Sequence, residues 1–217
     1  MIRLAVFDCD GTLVDSAATI CAAMEMAFDR VGVAWPGPEA TRRIVGLSLP
    51  EAFAQIAPGA DDALRAALAE HYKAAFGTLR AQGRAEEPLY PGVIDALAEL
   101  EARGWLLGVA TGKSDRGLDL CLRGHGLHAR FVTLQTADRH PSKPHPSMLH
   151  EAAREAGADH VAMIGDTVFD IGMAVAAGAD ALGVAWGYHA PAELAAAGAR
   201  AVARSYAELP DLLDRRG

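Results

Sequence analysis

Short runs of apolar residues recur along the chain, and each ends in small or polar residues. The first covers residues 2–7 and is followed by Asp-Cys-Asp-Gly-Thr, a cluster of turn-forming residues. β-Branched and aromatic residues in so short a run favour a buried strand. Four more runs of this kind follow, at residues 105–110, 131–134, 161–164 and 181–186. The pattern therefore predicts five buried strands.

Most of the segments between these runs have the spacing of amphipathic helices. Residues 91–103 place three apolar side chains on one face, with a proline near the first turn and a glycine just after the last. Residues 146–156 and 168–177 have similar patterns. Strands that alternate with helices predict the α/β class, with a doubly wound parallel sheet as a Rossmann-like core.

One long stretch interrupts the alternation. Residues 16–87 show helical periodicity and no strand pattern, and they follow the first strand directly. Such an insert predicts an all-helical cap over the carboxyl edge of the sheet. We therefore predict an α/β core formed by residues 1–15 and 88–217, with the cap formed by residues 16–87. The predicted cap helices are 17–31, 50–56 and 61–82, with a turn at 35–38.

Composition and charge narrow the class of protein. The 217 residues are 51% hydrophobic, which is enough for one large domain or one domain with a smaller insert. The net charge of -8 and the lack of a basic run argue against a nucleic-acid partner. No charge-free apolar stretch is long enough to span a bilayer, and acidic residues come too early for a signal peptide. Three separated cysteines, Cys9, Cys21 and Cys121, predict reduced thiols in a cytoplasmic protein.

Two acidic residues, Asp8 and Asp10, directly follow the first strand. In an open α/β sheet the carboxyl ends of the strands form the edge where ligands bind. The pair alone is equally consistent with an ordinary turn, since Asp-Gly is common turn chemistry. A calcium loop is excluded because it would need Gly and Glu where the chain has Leu13 and Thr19.

Two further segments are suited to binding an anion. Thr111 and Gly112 lie between a predicted strand and a helix, where a hydroxyl and backbone N–H groups can meet phosphate oxygens. The alternative is a plain Thr-Gly turn with Ser114 as the helix N-cap. Lys143 has two prolines close behind it, which stiffen the backbone around its ammonium group. The alternative there is a surface lysine in a loop.

A third acidic segment completes the set. Asp166 and Asp170 are four residues apart after the fourth apolar run, at the start of a predicted helix. An aspartate near a helix start is favoured by the helix dipole in any case. Taken together, three strand ends and one loop supply four carboxylates, a threonine and a lysine. Hard oxygen donors without a convincing histidine or cysteine cluster favour Mg²⁺.

In this combination the sequence resembles the haloacid dehalogenase-like hydrolase superfamily. The motifs are Asp-x-Asp-Gly-Thr at residues 8–12, Thr-Gly at 111–112, Lys-Pro at 143–144 and Gly-Asp-x-x-x-Asp at 165–170. The helical insert also lies where that family has its cap. The resemblance implies that Asp8 is a nucleophile that forms an aspartyl-phosphate and that Asp10 is the general acid and base.

The resemblance also implies a phosphate site and a metal site. Thr111 and the Gly112 amide would hold the transferring phosphoryl group, and Lys143 would neutralise charge on it and on the nucleophile. The cofactor would be Mg²⁺. Its implied ligands are Asp8, Asp10 through its backbone carbonyl, Asp166, and Asp170 either directly, through water, or by orienting Lys143 instead.

Within the superfamily, residues 7–16, 110–114 and 184–188 resemble phosphoglycolate phosphatases. This implies a Mg²⁺-dependent phosphatase that hydrolyses a small phosphate monoester. Asp10 argues against the dehalogenase branch, and Ile20 stands where the phosphoglucomutase branch has a histidine. A pyrophosphatase, a phosphotransferase or mutase, and a non-catalytic phosphate-binding regulatory protein stay open as alternatives.

The predicted cap offers two candidate substrate residues. Arg42 and Arg43 could reach the site and pair with a substrate carboxylate. Because they are adjacent, they point in different directions on a helix, so at least one is expected in solvent. The expected partner is a small phosphorylated metabolite, bound by a monomer or a homodimer.

Overall fold

Six parallel strands form the centre of the molecule. The computed structural model describes residues 1–215, and across this range the strand order is β3-β2-β1-β4-β5-β6. The predicted α/β class with a doubly wound parallel sheet is confirmed. All five predicted strands are present, and β6 is an addition, since three residues are too few to give a periodic signal. The strands are β1 (Arg3–Phe7), β2 (Trp105–Thr111), β3 (Phe131–Thr136), β4 (His160–Gly165), β5 (Asp180–Val184) and β6 (Ala201–Ala203).

Between residues 1 and 215, five α-helices lie before β2. They are α1 (Ala17–Val31), α2 (Pro38–Arg43), α3 (Leu49–Ile56), α4 (Asp62–Ala81) and α5 (Val93–Ala102). Five follow β2: α6 (Asp115–Gly124), α7 (Ser147–Ala156), α8 (Val168–Ala177), α9 (Pro191–Ala196) and α10 (Leu209–Asp214), with short 3₁₀ turns at His128–Arg130 and Tyr206–Glu208. Within residues 1–215, none of these helices is long and apolar enough to cross a membrane.

The two faces of the sheet are covered by different helices. In β1, Ala5 and Phe7 point to one face and belong to the cluster that includes residues of α5 and α6. Leu4 and Val6 point to the other face and pack with residues of α7 and α8. This alternation follows from the two-residue period of a strand, and it buries the sheet on both sides.

The helices α1 to α4 form a second body with its own apolar cluster. Phe28, Phe53 and Leu68 are fully buried within it, and Phe169 of α8 packs against it from the sheet side. The helix α2 was not predicted separately: the predicted turn at 35–38 ends at Pro38, which suits the first turn of a helix. We propose that residues 16–87 act as the cap and residues 1–15 and 88–217 as the core, of which residues 216 and 217 lie outside the described range.

The chain enters and leaves the inserted helices at adjacent points. Val14 forms an isolated antiparallel bridge with Leu89. The N–H of Asp15 donates to the Pro88 carbonyl at 2.8 Å, and the N–H of Tyr90 donates to the Leu13 carbonyl at 3.0 Å. The two crossing segments are therefore held side by side by backbone hydrogen bonds.

Candidate active site

The carboxyl ends of three neighbouring strands place the predicted acids at one edge of the sheet. Phe7, the last residue of β1, is level with Val109 of β2 and Ile164 of β4. Asp8 directly follows β1, and Asp166 directly follows Gly165, the last residue of β4, so the two carboxylates lie close together. Because β1 lies between β2 and β4, Asp8 occupies the middle of the edge, which is also where the strand order reverses direction.

Asp8 is completely buried and only half engaged. Its Oδ1 accepts a hydrogen bond from the Cys9 N–H at 2.6 Å and lies 3.0 Å from Lys143 Nζ. Among residues 1–215, no hydrogen-bond partner reaches its Oδ2. Burial raises the pKa of Asp8 to about 7; the opposing Lys143 ammonium lowers it, and the nearby Asp170 and Asp10 add to the increase. The side chain is thus held by one oxygen and free at the other.

Lys143 is buried, although its position in a loop was also consistent with a surface lysine. Its Nζ donates to Asp170 Oδ1 at 2.6 Å while it contacts Asp8. Burial lowers the pKa of Lys143, but the carboxylates of Asp170 and Asp8 outweigh that effect and raise it, so the ammonium stays charged. Asp170 Oδ2 accepts from the Thr167 N–H at 3.0 Å and the Thr167 hydroxyl at 2.7 Å. Both oxygens of Asp170 are therefore engaged, and the geometry suits the orienting role for Lys143.

Three of the predicted metal-binding acids form a buried cluster. Asp8, Asp166 and Asp170 each present a carboxylate oxygen within 4.8 Å of the others. Asp166 is held by the Thr12 hydroxyl at 2.8 Å and the Tyr188 N–H at 2.9 Å. Burial, and then the charges of Asp170 and Asp8, raise the pKa of Asp166. Three buried acids beside one lysine leave excess negative charge, and with the free Asp8 Oδ2 they fit a hard divalent cation.

Asp10, the fourth acid, uses its carboxylate elsewhere. Its Oδ1 accepts a hydrogen bond from the Ser16 hydroxyl and lies 2.8 Å from Lys113 Nζ. The predicted contact of Asp10 with a metal was through its backbone carbonyl. Its carboxylate therefore does not need to bind the metal and is free to exchange protons. Sequence reasoning missed Lys113, although it directly follows the Thr-Gly pair, because a lone lysine at a helix start is usually solvated.

Thr111 and Gly112 lie beneath the loop that joins α2 to α3. Thr111 is buried, and its Oγ1 accepts a hydrogen bond from the Lys113 N–H at 3.2 Å. A Cβ added at Gly112 would lie 2.6 Å from the Leu47 carbonyl oxygen and 2.8 Å from that of Gly46. Only a glycine allows this approach, so the inserted helices are closed onto the predicted phosphate loop.

Arg42 and Arg43 do not join the other predicted residues. Arg43 forms a two-pronged ion pair with Glu193 of α9, with both N–O distances 2.9 Å. Arg42 is exposed and lines a surface groove of about 330 Å³ with Cys21. Within the described chain neither guanidinium contacts the acidic cluster. Arg43 instead ties the inserted helices to the sheet body.

Comparison with known proteins agrees with this geometry. A family model described as haloacid dehalogenase-like hydrolase matches residues 2–178. The chain is 37% identical over 217 residues to IndB of Dickeya dadantii, named a probable phosphatase, with 96% of this chain and 92% of that protein covered. It is 31% identical over 222 residues to a phosphoglycolate phosphatase of Vibrio vulnificus, with 98% and 96% covered. A solved structure of a predicted phosphatase from Clostridium acetobutylicum superposes with a TM-score of 0.86 at 25% identity, covering 98% of each chain.

Proposed function

The chain belongs to the haloacid dehalogenase-like hydrolases, and from this premise we propose that it is a Mg²⁺-dependent phosphatase that acts on a small phosphate monoester of the phosphoglycolate type. The observation that carries the proposal is the buried Asp8, which has one oxygen fixed and one unengaged beside a charged lysine. A carboxylate held in this way can act as a nucleophile without first rearranging. The alternatives of turn chemistry or helix capping do not account for an unengaged buried oxygen.

In the first half of the proposed reaction, Asp8 attacks phosphorus and the ester P–O bond breaks. Asp10 gives a proton to the departing alkoxide, which leaves as the alcohol. Lys143 offsets negative charge on Asp8 and on the phosphoryl oxygens, while Thr111 and the Gly112 N–H orient that group. In the second half, Asp10 takes a proton from water, which attacks the phosphoryl group and releases phosphate and free Asp8.

The metal site in this proposal is formed by Asp8 and Asp166, together with the Asp10 backbone carbonyl. Asp170 lies in the same cluster but orients Lys143. Bound Mg²⁺ supplies positive charge against the oxygens of the transferring phosphoryl group. Lys143 alone would not offset the charge of Asp8, Asp166 and Asp170 together with that of a phosphate dianion.

Removal of divalent metal should abolish turnover. With para-nitrophenyl phosphate as substrate, we expect the chelator-treated protein to lose at least about 1,000-fold in rate and to recover it with added Mg²⁺. Mg²⁺ should also raise the melting temperature of the metal-free protein, because it binds the folded acid cluster and not the unfolded chain. Asp166→Asn should lose both effects. Full turnover in chelator would contradict the proposal.

The substrate class rests on the relatives and on the close approach of the inserted helices to Gly112, which favours a small leaving group. A panel of phosphoglycolate, other small phosphorylated metabolites and pyrophosphate, ranked by kcat/KM, tests the assignment. A preference for pyrophosphate would favour that alternative, and transfer of phosphate to an added acceptor would favour a phosphotransferase.

Adding a methyl group at Gly112 should disturb closure without disturbing the sheet. In Gly112→Ala the new Cβ meets two backbone carbonyls of the 46–47 segment at 2.6 and 2.8 Å, so that segment must move by about 1 Å. A displacement of this size costs up to about 100-fold in rate, and we expect kcat/KM for para-nitrophenyl phosphate to fall about 10- to 100-fold. Gly77→Ala is the matched control, because nothing lies within 4 Å of its added Cβ. Equal activity of the two variants would show that closure over Gly112 is not needed.

We further propose a cytoplasmic location, with the protein acting as a monomer or a homodimer. The three cysteines are free thiols, as expected for a reducing compartment. Measuring the solution mass would separate the two oligomeric states.

A further inference from the structure

A second buried lysine lies beside the second aspartate of the first loop. Lys113 Nζ is 2.8 Å from Asp10 Oδ1 and donates to Glu87 Oε1 at 2.7 Å. The side chains of Lys113 and Glu87 are 9% and 8% exposed. Glu87 belongs to the segment that leads from the inserted helices back to the sheet. The lysine therefore bridges the phosphate loop, the first loop and the returning chain.

The position of this lysine is fixed from the side of the inserted helices as well. Arg80 of α4 lies 2.6 Å from Glu87 Oε2, so each oxygen of Glu87 holds one cation. Lys113 Nζ also lies 5.5 Å from the centre of the Phe76 ring, within reach of a cation–π contact. Two acids and two bases, counting Asp10, give a group without net charge. Burying these four charged side chains requires desolvation free energy. Apolar side chains of similar size would fill the same space without that penalty.

The ammonium supplies a fixed, positively charged donor to one oxygen of Asp10, which an apolar side chain would not. Lys113 and the Ser16 hydroxyl both contact Oδ1. Across residues 1–215, no hydrogen bond reaches Oδ2 of the same carboxylate. Asp8 shows the same division, with Oδ1 held by Lys143 and Oδ2 unengaged. Each of the two aspartates thus has its own buried lysine.

We propose that Lys113, held in place by Glu87, is a positioning residue that fixes Asp10 through Oδ1 and leaves Oδ2 to exchange the proton with the leaving group and with water. This role rests on the proposed phosphatase function. It predicts that Lys113 matters most when the leaving group needs a proton. An alkoxide needs one, whereas para-nitrophenolate is stable as an anion.

The test compares two substrates on the Mg²⁺-loaded enzyme. For the alkyl phosphate with the highest kcat/KM in the panel above, Lys113→Met should lower kcat/KM about 100-fold, within the range of general acid catalysis. For para-nitrophenyl phosphate the loss should be less than about 5-fold, because Asp10 does little in that step. Lys113→Arg should recover part of the alkyl phosphate activity. Lys73→Met is the matched control, since Lys73 is an exposed lysine of α4 that pairs with Glu70 on the same helix.

A double-mutant cycle separates positioning from structural support. In an Asp10→Asn background, Lys113→Met should cause no further loss with the alkyl phosphate, because its effect passes through Asp10. Glu87→Gln keeps the ammonium but removes the charge that holds it, so a smaller loss with the same substrate preference is expected. If Lys113→Met does not fold, the comparison of the two substrates is made with Glu87→Gln and Lys113→Arg instead.

Three results would overturn the positioning role: equal losses on both substrates, additive losses in the cycle, or Lys113 variants that behave like Lys73→Met. Any of these with an active wild type and an inactive Asp8→Asn variant rejects the role of Lys113 alone. A wild type without Mg²⁺-dependent turnover rejects the proposed function, and the positioning role with it.

Discussion

Asp8→Asn should lower phosphatase turnover at least about 10,000-fold, because an amide cannot form the aspartyl-phosphate. The substitution keeps the size of the side chain, so the loss reports chemistry and not packing. It is measured as kcat with para-nitrophenyl phosphate and Mg²⁺, on fresh protein in which the asparagine has not deamidated. Asp29→Asn is the matched control, because Asp29 is exposed on α1, and its activity should stay within about twofold of wild type.

The same variant should be more stable than wild type in the absence of metal. A carboxyl whose pKa is raised to about 7 in the folded state, from the ordinary 3.8 of an aspartate, contributes stability below about pH 4 and loses it as the pH rises towards 7. Asparagine carries no charge at any of these pH values. In chelator at pH 8 we therefore expect Asp8→Asn to melt at least about 3 °C above wild type, with the difference vanishing at pH 4. An equal or lower melting temperature at pH 8 would argue against a charge-strained Asp8.

Lys143→Met should damage both activity and folding. The substitution leaves Asp8 and Asp170 buried without their shared cation, and breaking a buried ion pair in this way costs about 3–5 kcal/mol. For a chain of this size that corresponds to a fall in melting temperature of about 10 °C. Turnover should fall at least about 1,000-fold, because the ammonium that contacts Asp8 and offsets its charge is lost.

The pH dependence of this loss has a definite sign. Lys143 holds the pKa of Asp8 down, so its removal lets that pKa rise further above about 7. The destabilisation should then be largest at pH 8, where an unpaired Asp8 carboxylate must be buried, and smaller at pH 5, where Asp8 is protonated. Lys73→Met again serves as control and should change stability by less than about 0.5 kcal/mol. If Lys143→Met lost the same free energy of unfolding at both pH values, the loss of packing and not the loss of charge would explain the destabilisation.

The sheet and the first-loop acids could be predicted because their signals are local. The run before Asp8 is apolar and short, and the acid motif follows it directly, so residues 2–10 alone predict a buried strand with carboxylates at its end. The strand β6 could not be found in this way. Two of its three residues are only partly buried, and the segment is a strand because β5 offers an edge with which it pairs.

The roles of the lysines depend on distant partners, which limits prediction from a single sequence. The role of Lys143 could be predicted because prolines follow it closely and because its place in the order of motifs matches the family. Lys113 has no such signal, and its burial arises only when the loop of Asp10 and the segment of Glu87 meet around it. The ion pair of Arg43 with Glu193 was not foreseen for the same reason, because the two residues are 150 positions apart in the sequence.

The paired crossing segments at Val14 and Leu89 have a wider consequence. The chain leaves the sheet body and rejoins it at two segments that are hydrogen-bonded to each other. The path of the chain through the sheet body therefore does not depend on the length of the inserted helical segment. A different stretch could be spliced between the same two points without altering any strand register. Under the proposed function, the inserted helices could therefore be exchanged while the acids at the sheet edge stay in place. Glu87, which lies just before the second crossing, is a residue that such a graft would need to keep.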